Sequence, residues 1–258
     1  MKGKVMSTHY NKLPWKAEEL KVQLALGSIR SKDIIRLLRS KRTTSEMLRI
    51  FYEHGIEDVS HFANHKNTPA DILKDLYVKA ELATCDDQTI PYYTSQLVQH
   101  PTLPMYLLRD ALDIAMKSGP LANYYRSKII DVFMSPRVPQ RFLTGYVNHP
   151  NNYLRMCIAR NQATPPYVLT ALANGPSHSD SWHGSIRESV AENTKTPSET
   201  LHILGTTKTS APIRRHIIAN PSTTADTLKH ILQNDKARSI RAEALSKLFE
   251  RGKVIITD

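Results

Sequence analysis

Apolar residues recur along the 258-residue chain in short blocks with helical spacing, and a few turn residues separate one block from the next. If the residue just after a predicted helix is taken as an anchor, a leucine stands eight positions after every anchor and an apolar residue stands three positions before it. Successive anchors are 25 to 35 residues apart, a period that predicts an array of similar helical repeats. The seven anchors are Ser40, His65, His100, Ser135, Asn161, Asn193 and Asn220.

The turn after each anchor has a repeated chemistry of its own. Threonine stands three positions after the anchor in five of the seven repeats, and proline stands four positions after it in five. We expect the threonine to cap the next helix by accepting a backbone N–H, and the proline to begin that helix, where a missing N–H costs nothing. Each repeat is then a pair of short helices whose apolar stripe becomes buried only when neighbouring repeats stack on it.

Three consecutive segments show the pattern most completely: IARNQATPPYVLTALA, VAENTKTPSETLHILG and IIANPSTTADTLKHIL. They resemble the variant leucine-rich repeat, a bacterial α-solenoid unit, and more distantly HEAT and armadillo repeats. The resemblance extends from Lys41 to Leu248 and implies a right-handed superhelix of alternating α and 3-10 segments. A cysteine-rich iron–sulfur module precedes the repeats in a member of that family. The N-terminal region of this chain has no cysteine, so we expect no cofactor.

The pattern and the resemblance together predict an all-α solenoid of about seven short helical pairs, built as a single domain over residues 1–258. Residues 1–39 are expected to form basic capping helices, the first from Pro14 to Gly27, and residues 40–238 to form the repeats. Residues 239–258 would supply a C-terminal cap and tail, with a last helix from Ser239 to Arg251. We find no secretory signal and no apolar run of membrane-spanning length, so we expect a cytoplasmic protein without a membrane span.

Positive charge is concentrated near the N-terminal end of the sequence. The net charge is +11, and residues 1–42 contribute +8 of it, with eleven Lys or Arg against three acidic residues. The predicted second helix is both basic and amphipathic, and its candidate binding residues are Arg30, Arg36, Arg39 and Arg42. A helix of this kind binds nucleic acid or a membrane surface in some proteins, and in others it packs with a solvated basic face.

A second set of arginines stands six positions before successive anchors, at Arg155, Arg187 and Arg214, and Arg241 continues the register. Stacked repeats would align these residues, and a row of guanidinium groups suits a phosphate backbone or an acidic protein. The alternative is a structural role, in which the arginines pair with glutamates or cap carbonyl groups. The first four repeats lack the arginine, which argues against a continuous phosphate track along the whole array.

Three insertions fall at the same point of the repeat, at residues 116–127, 174–185 and 205–212. They would lie along one edge of a solenoid, as either a binding face or a set of tolerated surface loops. The middle insertion is expected to be a polar loop, in which Trp182 either anchors a partner or covers neighbouring helices. His178, Asp180 and His183 of this insertion match no known zinc spacing, so we expect no metal site.

Catalytic motifs give little support for an enzyme. The sequence has no glycine-rich phosphate loop, no G-x-S-x-G, no H-E-x-x-H and no paired C-x-x-C, and Cys85 and Cys157 are expected to be buried thiols. A HEAT-like DNA glycosylase would use aromatic residues in a concave groove, and Trp15 and Trp182 do not fit that pattern. We therefore expect a non-enzymatic scaffold that binds a protein partner, with DNA or RNA binding as the alternative.

Overall fold

The structure is a computed structural model, and it describes residues 13–14, 16–82, 89–117, 123–175 and 180–252. Every regular element in these ranges is helical, with sixteen α-helices and one short 3-10 helix. By its internal contacts the chain divides into two compact units, unit 1 (residues 1–129) and unit 2 (residues 130–258). The all-α expectation is therefore confirmed for the described ranges, while the single-domain organisation stays a prediction.

Both units are built from pairs of short helices, with an odd-numbered helix first and an even-numbered helix second. The helices of unit 1 are α1 (Ala17–Ala25), α2 (Ser31–Leu38), α3 (Ser45–Glu53), α4 (Val59–Asn64), α5 (Ala70–Leu82), α6 (Thr89–Leu97), α7 (Met105–Lys117) and most of α8 (Asn123–Asp131). After the 3-10 helix (Val132–Met134), those of unit 2 are α9 (Gln140–Gly145), α10 (Asn152–Arg160), α11 (Pro166–Asn174), α12 (Asp180–Glu192), α13 (Ser198–Thr206), α14 (Ala211–Ala219), α15 (Ala225–Asn234) and α16 (Arg238–Glu250).

The helices of unit 2 pack in two series. Helices α10, α12, α14 and α16 contact one another in succession, and so do α11, α13 and α15. Each of α11, α13 and α15 also packs on the even-numbered helix that follows it. In unit 1, α1 packs on α3 and α4 packs on α6. Odd-numbered helices therefore pack on odd-numbered helices, and even-numbered on even-numbered, as in unit 2. Neighbouring pairs thus cover one another's apolar stripes.

The repeated apolar positions form the core. The leucine eight positions after the anchor is at most 1% exposed in all seven repeats. The apolar residue three positions before the anchor is at most 5% exposed. Full burial of such a side chain stabilises a protein by roughly 1.5–3 kcal/mol. The leucines are Leu48, Leu73, Leu108, Leu143, Leu169, Leu201 and Leu228. The hydrophobic pattern therefore predicted these core positions correctly.

The repeated threonine has a different role from the one expected. It lies buried in the turn, and its Oγ1 donates to the carbonyl oxygen six residues earlier, at 2.5 to 2.7 Å. The N-cap is instead the next residue: Thr44 and Thr224 cap α3 and α15 with their side-chain oxygens, and proline takes this position in α9, α11 and α13. The predicted N-cap was wrong by one residue because a turn carbonyl competes for the threonine hydroxyl.

Each anchor closes its own turn with a hydrogen bond. In all seven repeats the anchor side chain accepts the backbone N–H of the residue two positions later, at 2.7 to 3.5 Å. The acceptor is a hydroxyl oxygen in the serines, Nδ1 in the histidines and Oδ1 in the asparagines. Turn N–H groups are thereby satisfied, which buried backbone requires.

In unit 1, the anchor histidines also bond to the preceding repeat. His65 Nε2 donates to the backbone oxygen of Ser40, and His100 Nε2 donates to that of His65, both at 2.9 Å. Because Nδ1 of each ring accepts a turn N–H, Nε2 carries the proton. One side chain therefore serves its own turn and the neighbouring repeat at once.

In unit 2, asparagines make the same connection. Nδ2 of Asn161, Asn193 and Asn220 each donates to two carbonyl oxygens of the preceding repeat, at 2.7 to 3.0 Å. Arg251 ends the series by donating to the backbone oxygen of Asn220 at 3.0 Å. We call these contacts, together with those of the two histidines, the anchor ladder. It holds successive helical pairs in a fixed register inside each unit.

The predicted terminal helices are confirmed, with small changes in their bounds. Helix α1 begins at Ala17 and α16 begins at Arg238. Gly27 and Gly252 follow these helices with φ values of 58° and 61°, a region that favours glycine at a helix end. Within the described ranges, none of the helices has the length and apolar character needed to cross a membrane.

Candidate functional site

The arginine row of unit 2 is tied to the segments that connect its helices. Arg187 Nε donates to a carbonyl near the end of α11 at 3.1 Å, and Arg241 Nη1 donates to the backbone oxygen of Asp235 at 2.7 Å. Arg214 donates to the backbone oxygen of Thr209 and forms an ion pair with Asp235, with 2.5 Å between Nε and Oδ2. These contacts satisfy carbonyl groups of the connections, so they support the structural alternative for this row.

Arg155, the first residue of the row, lies within α10 and is only 3% exposed. Its Nη2 donates to Oδ1 of Asn152, one helical turn earlier. Burial lowers the pKa of the Arg155 guanidinium below its usual range. A side chain with so little exposed surface can make almost no contact with a phosphate backbone.

The insertion at residues 174–185 is only partly a loop. Helix α12 begins at Asp180, so Trp182 and His183 lie on its first turn, and the expectation of a polar loop is wrong for this part. His178 lies outside the described residues. In the part of the chain that the structure describes, no group of three His, Cys, Asp or Glu is placed to hold a metal ion. A partner contact at Trp182 stays a prediction.

Helix α2 presents a basic stripe to solvent. Lys32, Ile35, Arg36 and Arg39 have the spacing of one helix face and all are exposed, while the two leucines of the helix are buried. Ile35, expected on the apolar face, is 42% exposed and therefore interrupts the stripe with an apolar side chain. The helix is amphipathic as predicted, but its buried face is narrower.

The basic stripe continues into two neighbouring turns. Lys41 and Arg42 are exposed in the turn between α2 and α3, and Lys66 is exposed in the turn between α4 and α5. Arg39 Nε donates to His61 Nε2 at 3.2 Å and so connects α2 to α4. We call the exposed cations of these elements the basic face, which consists of Lys32, Arg36, Arg39, Lys41, Arg42 and Lys66.

Two polar clefts adjoin the basic face. One has a volume of about 290 Å³ and lies between the ends of α2 and α4, and the other has a volume of about 430 Å³ and lies between the ends of α4 and α6. Asn64 lines both. The polar side chains in their walls include Arg39, His61, Asn64, Lys66, Gln96 and Gln99. No carboxylate is among the described residues that line them, although Asp58 lies 3.0 Å from His61, which lines the smaller cleft. The larger cleft therefore suits an anionic or hydrogen-bonding ligand better than the smaller one does.

Ion pairs in the described part of unit 1 lie mainly elsewhere. Arg49 of α3 pairs with Asp71 of α5 at 2.7 Å, and its hydrogen bond lowers the pKa of the Asp71 carboxyl below the usual range. At the start of α2, Arg30 is held by Asp33 at 2.6 Å, so this candidate residue is already paired. No ion pair found among the described residues involves Lys32, Arg36, Lys41 or Lys66.

Some charges of the basic face are close enough to repel one another. Lys32 stands four residues before Arg36, and Arg36 stands three before Arg39, so like charges are neighbours on the helix surface. Each such pair destabilises a helix by about 0.2–0.5 kcal/mol. Like charges placed side by side on an exposed helix face are typical of a functional surface. The basic face and its clefts are therefore the candidate binding site.

One wall of the larger cleft contains a buried amide oxygen. Oε1 of Gln96 is buried and has no hydrogen-bond partner among the described residues. Leaving a buried acceptor unsatisfied costs about 1–3 kcal/mol. A ligand N–H group that enters the cleft would remove this cost, and so would a water molecule.

Several exposed aromatic and aliphatic side chains lie on odd-numbered helices. Tyr106 of α7 is 53% exposed, and in unit 2 Tyr167 of α11 and Ile203 of α13 are 63% and 48% exposed. The Tyr167 hydroxyl is 2.9 Å from Thr144 Oγ1, which fixes the ring at the surface. Aromatic side chains held in this way are common at the centres of protein interfaces.

Cys157 is a buried thiol, as expected, whereas Cys85 lies outside the described residues. Burial and the nearby carboxylate of Asp131 together raise the pKa of the Cys157 thiol to about 12. Tyr153 donates to Oδ1 of Asp131 at 2.5 Å, and burial raises the pKa of that phenol as well. A thiol with this pKa stays protonated at neutral pH, which makes it a poor nucleophile.

Sequence reasoning identified the basic second helix but missed Lys66 and the two clefts. The signal was present one position before each anchor, where the first three repeats carry Arg39, Asn64 and Gln99. These residues lie at the ends of even-numbered helices, next to the anchor ladder, and line the clefts. Comparison of the chain with protein-family models, curated proteins and solved structures gives no match.

Proposed function

We propose that the chain is a non-enzymatic helical-repeat protein that binds single-stranded nucleic acid through the basic face of unit 1. The observation that carries this proposal is the set of six exposed cations beside two clefts whose described lining has no carboxylate. Cations in such a set bind consecutive phosphates and release counterions, which is the main source of affinity for nucleic acid.

The proposed architecture is an α-solenoid within each unit, of the variant leucine-rich kind that the sequence resembles. The anchor ladder supports it, because one side chain of each repeat is bonded to backbone carbonyls of the repeat before it. The packing of odd helices on odd and even on even supports it too. Arrays of this type present extended surfaces, which they commonly use to bind other macromolecules.

A single strand fits the clefts better than a duplex does. Asn64, Gln96 and Gln99 provide amide donors and acceptors, and the Gln96 oxygen has no donor among the described residues. Unpaired bases expose the edges that amides recognise, whereas the bases of a duplex are reached only through a groove. We infer that the cations hold the phosphates and that the amides contact bases turned into the clefts.

The experiment is fluorescence anisotropy of labelled single-stranded RNA, single-stranded DNA and duplex DNA with the whole chain at about 150 mM salt. A triple variant, Arg36→Gln, Lys41→Gln and Lys66→Gln, removes three charges of the basic face. A matched control, Lys21→Gln, Lys74→Gln and Arg109→Gln, removes three exposed charges from odd-numbered helices of unit 1. Circular dichroism establishes that each variant is folded.

We expect micromolar or tighter binding of single strands, a loss of at least tenfold, or about 1.4 kcal/mol, in the first variant and little change in the control. Equal losses in both variants would mean that net charge alone attracts the nucleic acid. Absence of binding at this salt concentration would contradict the proposal.

A protein partner, the class favoured by the sequence, is the second candidate. Exposed side chains in each unit favour it, because a partner that binds either unit would cover them: Tyr106 in unit 1, and Tyr167 and Ile203 in unit 2. The two candidates use different helices. Substituting Tyr106 by serine would weaken a protein complex in a pull-down experiment and leave the affinity for nucleic acid unchanged.

A further inference from the structure

Unit 2 contains a cleft that the proposed function does not use. It has a volume of about 380 Å³ and lies where the ends of α13 and α15 meet the segments before α14 and α16. This volume is within the range of small-molecule sites. The ionisable side chains among its described lining residues are Lys208, Arg214, His230, Asp235 and Lys236.

The only carboxylate in this lining is fully engaged. Asp235 is 4% exposed at its side chain, and its Oδ2 lies 2.5 Å from Arg214 Nε. Its Oδ1 accepts the backbone N–H of Ala237 at 2.8 Å, at the start of α16. Arg214 therefore neutralises Asp235, and the charges of Lys208 and Lys236 remain for a ligand.

The walls of the cleft are fixed by hydrogen bonds. Arg214 donates to the backbone oxygen of Thr209, and Arg241 donates to the backbone oxygens of Asp235 and Lys236 at 2.7 and 3.2 Å. Both segments that carry the lysines are thus held by a buried or half-buried arginine. A site arranged before binding loses less entropy when a ligand enters.

Backbone groups add to the positive potential of the cleft. Helix α14 begins beside it, and Ser210 at its N-cap makes no side-chain capping bond. The first turn of α14 contains no acidic residue, so the positive end of the helix dipole adds to this potential, but Pro212 in that turn has no N–H to donate. The Thr209 hydroxyl donates to the Leu204 carbonyl at 3.1 Å, so the two lysines, not this hydroxyl, are available to an anion.

We propose that this cleft binds a compact dianionic phosphate group, either free or carried as a monoester by a small molecule. Lys208 and Lys236 would bind the phosphate oxygens, and the ion-paired Arg214 would form the floor of the site. The pair of lysines matches the two charges of a phosphate monoester, whereas a phosphodiester carries one. The proposal is independent of the basic face, because every residue it uses lies in unit 2.

The test is isothermal titration calorimetry of the whole chain with inorganic phosphate and, separately, with ribose 5-phosphate at constant ionic strength. We expect saturable binding of at least one of the two at a single site. The double variant Lys208→Gln and Lys236→Gln is expected to weaken that binding at least tenfold. The control, Lys195→Gln and Lys229→Gln, removes two exposed charges of unit 2 outside the cleft and should leave binding unchanged.

Saturable binding of the free ion alone would identify inorganic phosphate, and tighter binding of the sugar phosphate would identify a monoester ligand. Absence of saturation with both probes, or equal losses in the two variants, would overturn the proposal. Displacement of phosphate by a single-stranded oligonucleotide would also overturn it, because the cleft would then belong to the nucleic-acid path. Failure of nucleic-acid binding at the basic face would leave these outcomes unaffected.

Discussion

Replacing Asn193 by alanine removes one complete connection of the anchor ladder. Nδ2 of Asn193 donates to the backbone oxygens of Ala159 and Asn161 at 2.8 and 3.0 Å, and Oδ1 accepts the N–H of Lys195 at 3.0 Å. The side chain is 1% exposed, so water cannot replace these bonds in the native structure. The substitution removes one donor from each of two carbonyl groups and the acceptor of one N–H, while the Asn161 carbonyl keeps the N–H of Thr164 at 3.0 Å.

The expected loss of stability follows from these three bonds. Each contributes about 1 kcal/mol net, and a buried group left unsatisfied costs about 1–3 kcal/mol. Because the carbonyls keep a second lone pair, we take the lower half of that range and expect a loss of about 3–5 kcal/mol in the free energy of unfolding. With a urea dependence of about 2–3 kcal/mol per molar, the unfolding midpoint falls by roughly 1–2 M.

The assay is urea unfolding of the whole chain, monitored by circular dichroism at 222 nm, where helices give a strong negative signal. Lys195→Ala is the control, because it keeps the backbone N–H and removes only an exposed side chain, and its effect should stay within about 0.5 kcal/mol. Asn193→Asp keeps the acceptor for the Lys195 N–H but puts a carboxylate oxygen next to two carbonyl oxygens, which repel it. This substitution should therefore be at least as destabilising as Asn193→Ala. A loss below about 1 kcal/mol for Asn193→Ala would refute the structural role of the ladder.

Three further predictions concern buried groups of unit 2. Thr196→Val removes the 2.5 Å bond from Oγ1 to the Val190 carbonyl without changing side-chain size, and urea unfolding should show a loss of about 1–3 kcal/mol. In a Cys85→Ser background, Cys157 should not react with a thiol reagent at pH 8 until urea unfolds the protein, because its pKa is about 12; rapid reaction of the native protein would contradict this. Gly205→Ala places a Cβ 3.2 Å from a buried threonine methyl group, so thermal unfolding should show a loss of about 1–3 kcal/mol; unchanged stability would mean that the neighbouring helix yields.

The sequence allowed the helical core to be predicted because burial follows the hydrophobic period. Leu201 and Val190 stand at fixed distances from the anchor Asn193, and all three are buried as their positions in the pattern require. Periodicity of this kind depends on side-chain hydrophobicity alone, which can be read along the chain. It does not depend on the geometry of the turns.

The turn chemistry was harder to predict because several acceptors compete for one hydroxyl. A threonine before proline matches the usual N-cap pattern, yet Thr196 donates to a carbonyl six residues earlier. The role of Asn193 was missed for a related reason, since its acceptors are 32 and 34 residues away in the sequence. Contacts at such a distance become visible only when the stacking of the repeats is known.

The candidate site was predicted in part. Arg36 and Arg39 lie on an exposed basic face, as expected for one reading of the second helix, but Arg155 is buried. Both groups of arginines look alike in the sequence, because charge and period do not reveal which side of a helix meets its neighbour. Lys66 joins the basic face only because α2 and α4 end close together, with Arg39 bonded to His61.

The salt dependence of nucleic-acid affinity tests the proposed function most directly. Anisotropy titrations with single-stranded RNA at several salt concentrations give the slope of log K against log salt, which counts phosphate contacts. If all six cations of the basic face bind phosphates, the slope is about −4.2, and it falls to about −2.1 when Arg36, Lys41 and Lys66 are replaced by glutamine. The same slope for the native chain and this variant would show that the basic face does not bind the strand.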